Sequence, residues 1–331
     1  MTQRVPDKPV ITVLAAPGEA LPPGLDSLAE MAALRQAWDA ESLRATLPGA
    51  HVLCVTDFRT GALRQAWPCA DRLQWIHATS AGVDAVLIAE VRTSDVLLTN
   101  ARGIFDRPIA EYVLGQIIAF AKDFHRNWEL QQRQEWVHRD TERVQGKRAL
   151  VVGAGAIGRE IARLARAVGL TVEGIARSER SADPDFEAVY AAHDLCARLP
   201  DADFVIVAAP LTQTTRGLFD AVALRCMKRT ARLINIGRGP IVVTDALVQA
   251  LQEGWIAGAA LDVFEEEPLP ENHPLWRAPN TVVSAHMAGD FLGWREALIE
   301  QFIEQFRRWR RGEPLHNLVD KGRGYVGATK E

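Results

Sequence analysis

The 331-residue sequence has few of the features that mark membrane, secreted or disulfide-rich proteins. It contains only four cysteines, at positions 54, 69, 196 and 226, and no two of them form a CxxC pair. A disulfide framework or a zinc site therefore has no support in the sequence. No apolar stretch approaches the roughly 20 residues that span a bilayer, and residues 1–10 lack the apolar core of a secretory leader. These absences predict a cytoplasmic protein.

The sequence also lacks an excess of charge of either sign. Lys and Arg together number 38 and Asp and Glu 42, which gives a net charge of −4 with histidine neutral. A chain with this balance has no general attraction for nucleic acid or anionic membranes. The one basic run, over residues 307–311, is typical of the solvated end of an amphipathic helix. No segment repeats with a period of 20–50 residues, which excludes solenoids and propellers.

What the sequence does contain is an alternation of short apolar runs and helical patterns. A weaker series covers about residues 1–100, and a stronger series covers about residues 103–285. The pattern over residues 25–37 predicts a helix in the first series. Between the two series, residues 108–134 predict one long helix with Pro108 in its first turn. A last helix is expected over residues 291–311, and we expect it to pack on the first series.

This alternation predicts the α/β class, with two Rossmann-like, doubly wound parallel-sheet domains and a cleft between them. The first would be a flavodoxin-like, substrate-binding domain that is discontinuous, with residues 1–101 and 290–331. The second would be a dinucleotide-binding domain of residues 102–289, which includes the helix 108–134. Because the chain would cross twice between these domains, the cleft could close about a hinge.

A glycine-rich turn, Gly153-Ala154-Gly155-Ala156-Ile157-Gly158, lies between a predicted strand at 148–152 and a predicted helix at 156–168. The dinucleotide-binding fingerprint requires this order of strand, turn and helix. Its first glycine makes the tight turn, its second lets a pyrophosphate approach the backbone, and its third lets helix and strand pack closely. The free amides of the helix N-terminus would bind the phosphates. A glycine-rich turn without a ligand is the alternative.

The end of the next predicted strand indicates which dinucleotide is bound. The fingerprint expects an acid about here to bind the ribose 2′-hydroxyl, but the residue 18 positions after Gly158 is Ala176. Arg177 and Ser178 follow it, and Arg180 comes shortly after. The loss of a carboxylate and the gain of cations favour a 2′-phosphate, so we predict NADP(H), with NAD(H) as the alternative. Arg177 could instead be an ordinary surface arginine.

Three polar side chains follow predicted strands of the second series: Arg238, Glu267 and His286. Ligands of open parallel sheets bind beyond the carboxyl ends of the strands, so the three could share one site. They suit carbonyl–alcohol redox chemistry, in which a histidine gives a proton, a carboxylate keeps it charged and oriented, and an arginine binds the carbonyl oxygen and a carboxylate. Taken singly, each residue has a structural alternative: a core histidine, a member of the acidic run 265–267, and a turn residue.

Together these motifs resemble those of the D-isomer-specific 2-hydroxyacid dehydrogenases over essentially the whole chain. Arg238 and Glu267 are 29 residues apart and Glu267 and His286 are 19 apart, as in that family. Within the family, Arg177-Ser178 and the segment Trp75-Ile76-His77 are most similar to the glyoxylate/hydroxypyruvate reductases. The other matching segments are residues 80–84, 110–115, 153–158, 209–211, 235–239, 261–268 and 286–289.

The resemblance implies a reductase that transfers hydride between NADP(H) and a small 2-keto acid, with a D-2-hydroxy acid as the product. It implies that His286 is the acid and base, Glu267 its partner and Arg238 the substrate anchor. The backbone amides of Ala81 and Gly82 would bind the substrate carboxylate. The further cofactor-binding residues that it implies are Ala209, Pro210, Ile236, Gly237, Asp262 and Gly289.

The resemblance also implies a homodimer through the helix 108–134 and the segment that continues to Asp140. Trp136 would then either reach the neighbouring subunit's site or lie on the surface without a partner. Two other functions stay open. A dinucleotide-sensing protein like the corepressors of this fold would use exposed grooves and tails, yet this chain has no long disordered tail and all three catalytic positions are filled. A formate or phosphite dehydrogenase would need a carboxylate-lined or more cationic pocket, for which the sequence has no signal.

Overall fold

The computed structural model describes residues 6–57 and 60–327. The chain divides into two compact units. The first contains the described residues up to Ile104 and those from Phe291 onward, and the second runs from Phe105 to Asp290. Each unit is built on its own parallel sheet, which confirms the predicted α/β class with two Rossmann-like sheets. The predicted domain boundaries at 101–102 and 289–290 stay a prediction.

The first sheet has five parallel strands in the order β2-β1-β3-β4-β5. This is the strand order of flavodoxin-like sheets. The strands are β1 Val10–Leu14, β2 Ala33–Ala37, β3 Val52–Val55, β4 Trp75–Ala78 and β5 Leu97–Asn100. Three short helices belong to the same part of the chain: α1 Ala40–Thr46, α2 Ala62–Ala66 and α3 Ala89–Thr93.

The helix predicted over residues 25–37 is wrong. Only Leu25–Leu28 is helical, as one 3-10 turn, and residues 33–37 form the edge strand β2. The apolar spacing of Leu25 and Leu28 suits a helix, and both side chains are buried. The strand instead depends on β1, with which it pairs over its whole length from Ala33 to Ala37. A pairing between distant segments therefore outweighs the local pattern.

The second sheet has seven parallel strands in the order β12-β11-β10-β9-β6-β7-β8. Counted within the unit, this is the Rossmann order 3-2-1-4-5-6 with one strand added at an edge. The strands are β6 Arg148–Val152, β7 Thr171–Ala176, β8 Val189–Ala191, β9 Phe204–Val207, β10 Arg232–Asn235, β11 Gly258–Leu261 and β12 Thr281–Val283. The helices are α4 Asp106–Ala121, α5 Phe124–Gln132, α6 Ala156–Ala167, α7 Leu195–Arg198, α8 Ala221–Cys226 and α9 Thr244–Gln252.

The central strands of this sheet are buried on both faces. In β6, Leu150 and Val152 belong to the core under α8 and α9, whereas Ala149 and Val151 belong to the core under α4 and α6. This alternation follows from the two-residue period of a strand. The strand order reverses between β6 and β9, and the carboxyl edge at such a reversal is where ligands bind in open α/β sheets.

The single helix predicted over residues 108–134 is two helices, α4 and α5. Between them Asp123 has a φ of 52°, in the left-handed region that cannot continue an α-helix. Arg139 contacts the residue at this break, since its Nε donates a hydrogen bond to Asp123 Oδ2 at 2.7 Å. The apolar side chains of Ile109, Val113 and Ile117 on α4 are buried, but Phe124 on α5 is exposed. The sequence pattern missed the break because Arg139 lies 16 residues further along the chain.

The last helix, α10, runs from Trp294 to Arg310 and covers one face of the first sheet. Its apolar residues recur every three or four positions, as expected of a helix with one buried face. Those buried against the sheet are Ile299, Phe302, Ile303, Phe306 and Trp309, and their partners include Ile11, Val13, Val52 and Trp75. A short antiparallel pair follows, β13 Val319–Asp320 and β14 Tyr325–Val326. Over residues 6–57 and 60–327, none of the helices has the length and apolar composition to cross a membrane.

Candidate active site

The glycine-rich turn lies at the carboxyl end of β6, where the strand order reverses. A Cβ on Gly153 would lie 2.6 Å from the amide nitrogen of Ala209, and one on Gly158 would lie 2.0 Å from the carbonyl oxygen of Gly153. Neither position can therefore hold a side chain. A Cβ on Gly155 would meet no heavy atom within 4 Å, so this glycine borders open space. Gly155 is also the N-cap of α6 and provides no side-chain cap, which leaves the first amides of α6 for an anion.

The carboxyl ends of β6, β9 and β10 meet through their backbones at this turn. Gly153 packs on Ala208 and Ala209, and a Cβ on Gly237 would lie 2.8 Å from the carbonyl oxygen of Ala209. Ala209 and Ile236 are buried. The structure therefore brings the residues implied by the resemblance after β9 and β10 to the same edge as the glycine-rich turn.

His286 and Glu267 form a hydrogen-bonded pair. The Nδ1 atom of His286 lies 2.7 Å from Oε2 of Glu267, whose Oε1 accepts the amide of Phe264 at 2.9 Å. Burial acts to raise the pKa of Glu267, but the hydrogen bonds from His286 and Phe264 and the charge of Arg238 outweigh it, and the pKa lies below its ordinary value. Glu267 is therefore a carboxylate at neutral pH. Because it binds Nδ1, Nε2 is the ring atom that can exchange a proton with a ligand.

The backbone at His286 has a φ of 53°, which is uncommon for a residue with a side chain. Asp262 holds this turn. Its Oδ1 accepts the amide of Met287 at 3.0 Å, and its Oδ2 accepts the amide of Ala288 at 2.9 Å. Asp262 is only 2% exposed. Asp262, one of the cofactor-binding residues that the resemblance implies, therefore also binds the loop that carries His286.

Arg238 follows β10 in a turn that packs on the segment carrying Glu267. A Cβ on Gly239 would lie 1.9 Å from the carbonyl carbon of Phe264, so the two segments touch backbone to backbone. Asn235 supports the turn, since its Nδ2 donates to the carbonyl of Arg238 at 3.2 Å. The positive charge of Arg238 also lowers the pKa of Glu267. Its effect is smaller than the effects of burial, of His286 and of the Phe264 amide. The structure thus places Arg238, Glu267 and His286 at one edge of the second sheet.

The cationic segment after β7 lies beside the glycine-rich turn. Arg177 and Ser178 are exposed directly after the strand. Arg180 Nη2 donates to the carbonyl of Ala154 at 3.2 Å, and its Nε lies 3.4 Å from Oδ2 of Asp183. The sequence alone does not indicate a role for Asp183, because no motif predicts that this acid contacts Arg180. Arg180 is therefore held at the turn and ion-paired, whereas Arg177 faces solvent.

The remaining predicted residues lie in other segments of their own units. Ala81 and Gly82 belong to the first unit, in the loop after β4, where Ser80 Oγ donates to the carbonyl of Gly82 at 2.7 Å. Gly289 packs against Phe105 within the second unit, and a Cβ there would lie 2.8 Å from Cδ1 of that ring. Trp75 and His77 of the segment compared with glyoxylate/hydroxypyruvate reductases are fully buried in the first unit.

The doubly wound sheet, the open glycine-rich turn and the Glu267–His286 pair define a dinucleotide-dependent oxidoreductase. Residues 114–288 match the family model described as "D-isomer specific 2-hydroxyacid dehydrogenase, NAD binding domain". The chain belongs to this family, as its motifs predict, and it is an NAD(P)-dependent enzyme.

Individual relatives cover most of the chain. A glyoxylate reductase of Thermofilum pendens is 34% identical over 282 residues, which are 82% of this chain and 81% of the relative. The crystal structure of an NADPH-dependent glyoxylate/hydroxypyruvate reductase from Sinorhizobium meliloti, in complex with NADP and sulfate, has a TM-score of 0.80 at 27% identity and covers 96% of this chain and 100% of its own. A family member from Xanthobacter autotrophicus, in complex with NADPH and MES, has a TM-score of 0.79 at 29% identity, with coverage of 96% and 100%.

Proposed function

We propose that this enzyme reduces a small 2-keto acid, such as glyoxylate or hydroxypyruvate, to the D-2-hydroxy acid with NADPH as the preferred reductant. The observation that carries the proposal is the Glu267–His286 pair, 2.7 Å apart, on the sheet edge that also holds Arg238 and the glycine-rich turn. The glyoxylate reductases among the relatives support the choice of substrate class. The NADP and NADPH complexes among the structural neighbours support the choice of cofactor.

The second unit fits a nicotinamide dinucleotide. Gly155 borders open space, and α6 begins without a side-chain cap, so the amides at Ala156 and Ile157 suit a pyrophosphate. Bound there, the reduced nicotinamide supplies the hydride. Arg177 and Ser178 would bind the 2′-phosphate, with Arg180 beside the turn. Further contacts are proposed for Ala209, Pro210, Ile236, Gly237, Asp262 and Gly289.

The protein's own groups handle the charge and the proton. Arg238 would bind the keto oxygen and the substrate carboxylate with its planar fork and stabilise the negative charge that develops on the oxygen. His286 would donate the proton from Nε2 to that oxygen, and solvent would restore it. Glu267 keeps the ring oriented and places a negative charge beside it. The first unit would bind the substrate carboxylate through the amides of Ala81 and Gly82.

The test is a measurement of kcat/KM for NADPH and NADH with glyoxylate, hydroxypyruvate and pyruvate. We expect turnover with NADPH, and a loss of about 10²–10⁴-fold in kcat for His286→Ala with cofactor binding retained. His193→Ala, at an exposed histidine of the same unit, is the matched control. Oxidation of formate or phosphite in place of keto-acid reduction would contradict the proposed substrate class. Cofactor binding with no turnover of any of these compounds would favour a dinucleotide sensor.

We also propose that the enzyme is a cytoplasmic homodimer. Several apolar side chains on α5 and in the segment after it are exposed: Phe124, Trp128, Trp136 and Val137, with Trp136 fully so. A patch of this kind is typical of a protein–protein contact. The four cysteines are free thiols, as expected in a reducing compartment. Sedimentation should show a dimer that becomes a monomer when Trp128→Glu and Trp136→Glu are combined, but not with Trp276→Glu. A monomeric parent protein would contradict the proposal.

A further inference from the structure

Two hydroxyl groups connect helix α4 to the loop that carries His286. The hydroxyl of Tyr112, half-buried on α4, lies 2.6 Å from Oγ of Ser284, and this Oγ lies 2.6 Å from Oδ1 of Asp262. A carboxylate only accepts hydrogen bonds, so Ser284 gives its single proton to Asp262. Ser284 must then accept from Tyr112. Burial raises the pKa of Tyr112, so its hydroxyl keeps the proton that it donates.

This hydroxyl chain, Tyr112 to Ser284 to Asp262, ends at the backbone around His286. Asp262 accepts the amides of Met287 and Ala288, the two residues that follow His286. Ser284 lies two residues before it, so the turn is held on both sides. The left-handed conformation of His286 is strained and persists only where the surrounding structure holds it. The hydroxyl chain helps to hold His286 in this conformation.

We propose that Tyr112 is a positioning residue for the reaction: through Ser284 it fixes Asp262 and thereby the backbone at His286, so that Nε2 faces the bound reactant. The proposal rests on the role of His286 given above. Glu267 orients the imidazole ring, whereas Tyr112 and Ser284 orient the backbone that carries it. A purely structural role would stabilise the fold and leave the rate of proton transfer unchanged.

The first test is Tyr112→Phe, which removes one hydroxyl and keeps the ring that packs beneath the sheet. We expect kcat for keto-acid reduction to fall roughly threefold to tenfold, the effect of one neutral hydrogen bond, with KM for NADPH unchanged. Tyr190→Phe is the matched control, because that hydroxyl also accompanies a carboxylate of the second unit, Glu173 at 3.3 Å. A lowered melting temperature for Tyr112→Phe with an unchanged kcat would overturn the proposal.

The second test is a double-mutant cycle with Ser284→Ala. Because Tyr112 acts only through Ser284, the double variant should have the kcat of Ser284→Ala alone. Additive losses would overturn the connection between the two residues. Ser284→Thr keeps a hydroxyl at this position and should restore most of the activity lost in Ser284→Ala.

The third test does not depend on turnover. With ¹⁵N-labelled histidine, the ring signals of His286 are assigned by their loss in His286→Gln. We expect Tyr112→Phe to shift or broaden these signals and to leave those of the buried His77 unchanged. Unaltered His286 signals would overturn the proposal. If the parent enzyme reduces no keto acid, the proposed function fails, and the spectrum still decides whether Tyr112 positions His286.

Discussion

Two carboxylates hold His286, one through its ring and one through its backbone. Glu267 contacts Nδ1, and Asp262 binds the amides of the next two residues. The pair with Glu267 places a negative charge beside the ring, whereas the bonds to Asp262 hold only the backbone that carries the ring. Substitutions at the two positions should therefore have different kinetic signatures.

At Glu267, the change Glu267→Gln keeps the shape of the side chain and removes its negative charge. Protonated His286 then loses a favourable partner, so keto-acid reduction, which needs the proton, should be lost at a lower pH than in the parent. Profiles of kcat/KM against pH check this, with the exposed Glu266→Gln as the control. Superimposable profiles for parent and Glu267→Gln would show that the carboxylate does not set the charge of the ring.

At Arg238, the change Arg238→Lys keeps the charge and removes the planar fork. We expect KM for the keto acid to rise and kcat to fall, with kcat/KM reduced roughly 10–150-fold, the range of a charge-assisted contact of about 1.5–3 kcal/mol. Arg277→Lys, at an exposed arginine of the same unit, should leave both parameters unchanged. An Arg238→Lys enzyme as active as the parent would contradict bidentate binding.

We propose that the strand end at β7, with the residues directly after it, sets the cofactor preference. Ala176→Asp combined with Arg177→Ala should reverse a preference for NADPH, because it adds a carboxylate for the 2′-hydroxyl and removes a cation that favours the 2′-phosphate. We expect the NADPH/NADH ratio of kcat/KM to fall by roughly 10–150-fold. Arg229→Ala is the control at an exposed arginine elsewhere. A parent enzyme that already prefers NADH would contradict the interpretation of this strand end.

The elements that could be predicted from sequence are those with a strong local pattern. The strand β6 has the bounds, 148–152, that its apolar run predicts. The common carboxyl edge of parallel strands explains why Arg238, Glu267 and His286 could be assigned to one site before their distances were known. Neither the edge strand β2 nor the break at Asp123 could be predicted, because each depends on a partner elsewhere in the chain.

Tyr112 illustrates the limit of the sequence at the site itself. It lies within a motif that matches the family, yet its partner Ser284 is 172 residues away. A single sequence has no periodicity or spacing that connects a helix residue to a strand end at that distance. Its contact with the loop of His286 exists only once α4 has packed on the sheet.

The buried His77 should make the whole molecule sensitive to acid. Burial lowers the pKa of His77 from 6.5 to about 3, and its Nδ1 lies 2.8 Å from Thr99 Oγ1. Below pH 6.5 the unfolded chain gains a proton at this residue that the folded chain does not, so stability falls with pH until about pH 3. Through His77 alone, the free energy of unfolding should be about 2 kcal/mol lower at pH 5 than at pH 7.

Urea unfolding at the two pH values checks this prediction. The variant His77→Phe keeps an aromatic ring beside Phe302. Its free energy of unfolding should decrease less from pH 7 to pH 5 than that of the parent, by that amount. His193→Phe changes an exposed histidine and should retain the decrease of the parent. An identical pH dependence in the parent and His77→Phe would show that His77 does not titrate on unfolding.

The helix α10 has a consequence for how the chain is made. It covers Ile11, Val13 and Trp75, yet Phe302 is synthesised 227 residues after Trp75. On the ribosome, the whole second unit is synthesised before α10 can pack on this face of the first sheet. The second unit can therefore fold first, whereas β1, β3 and β4 keep an exposed apolar face until α10 has been synthesised.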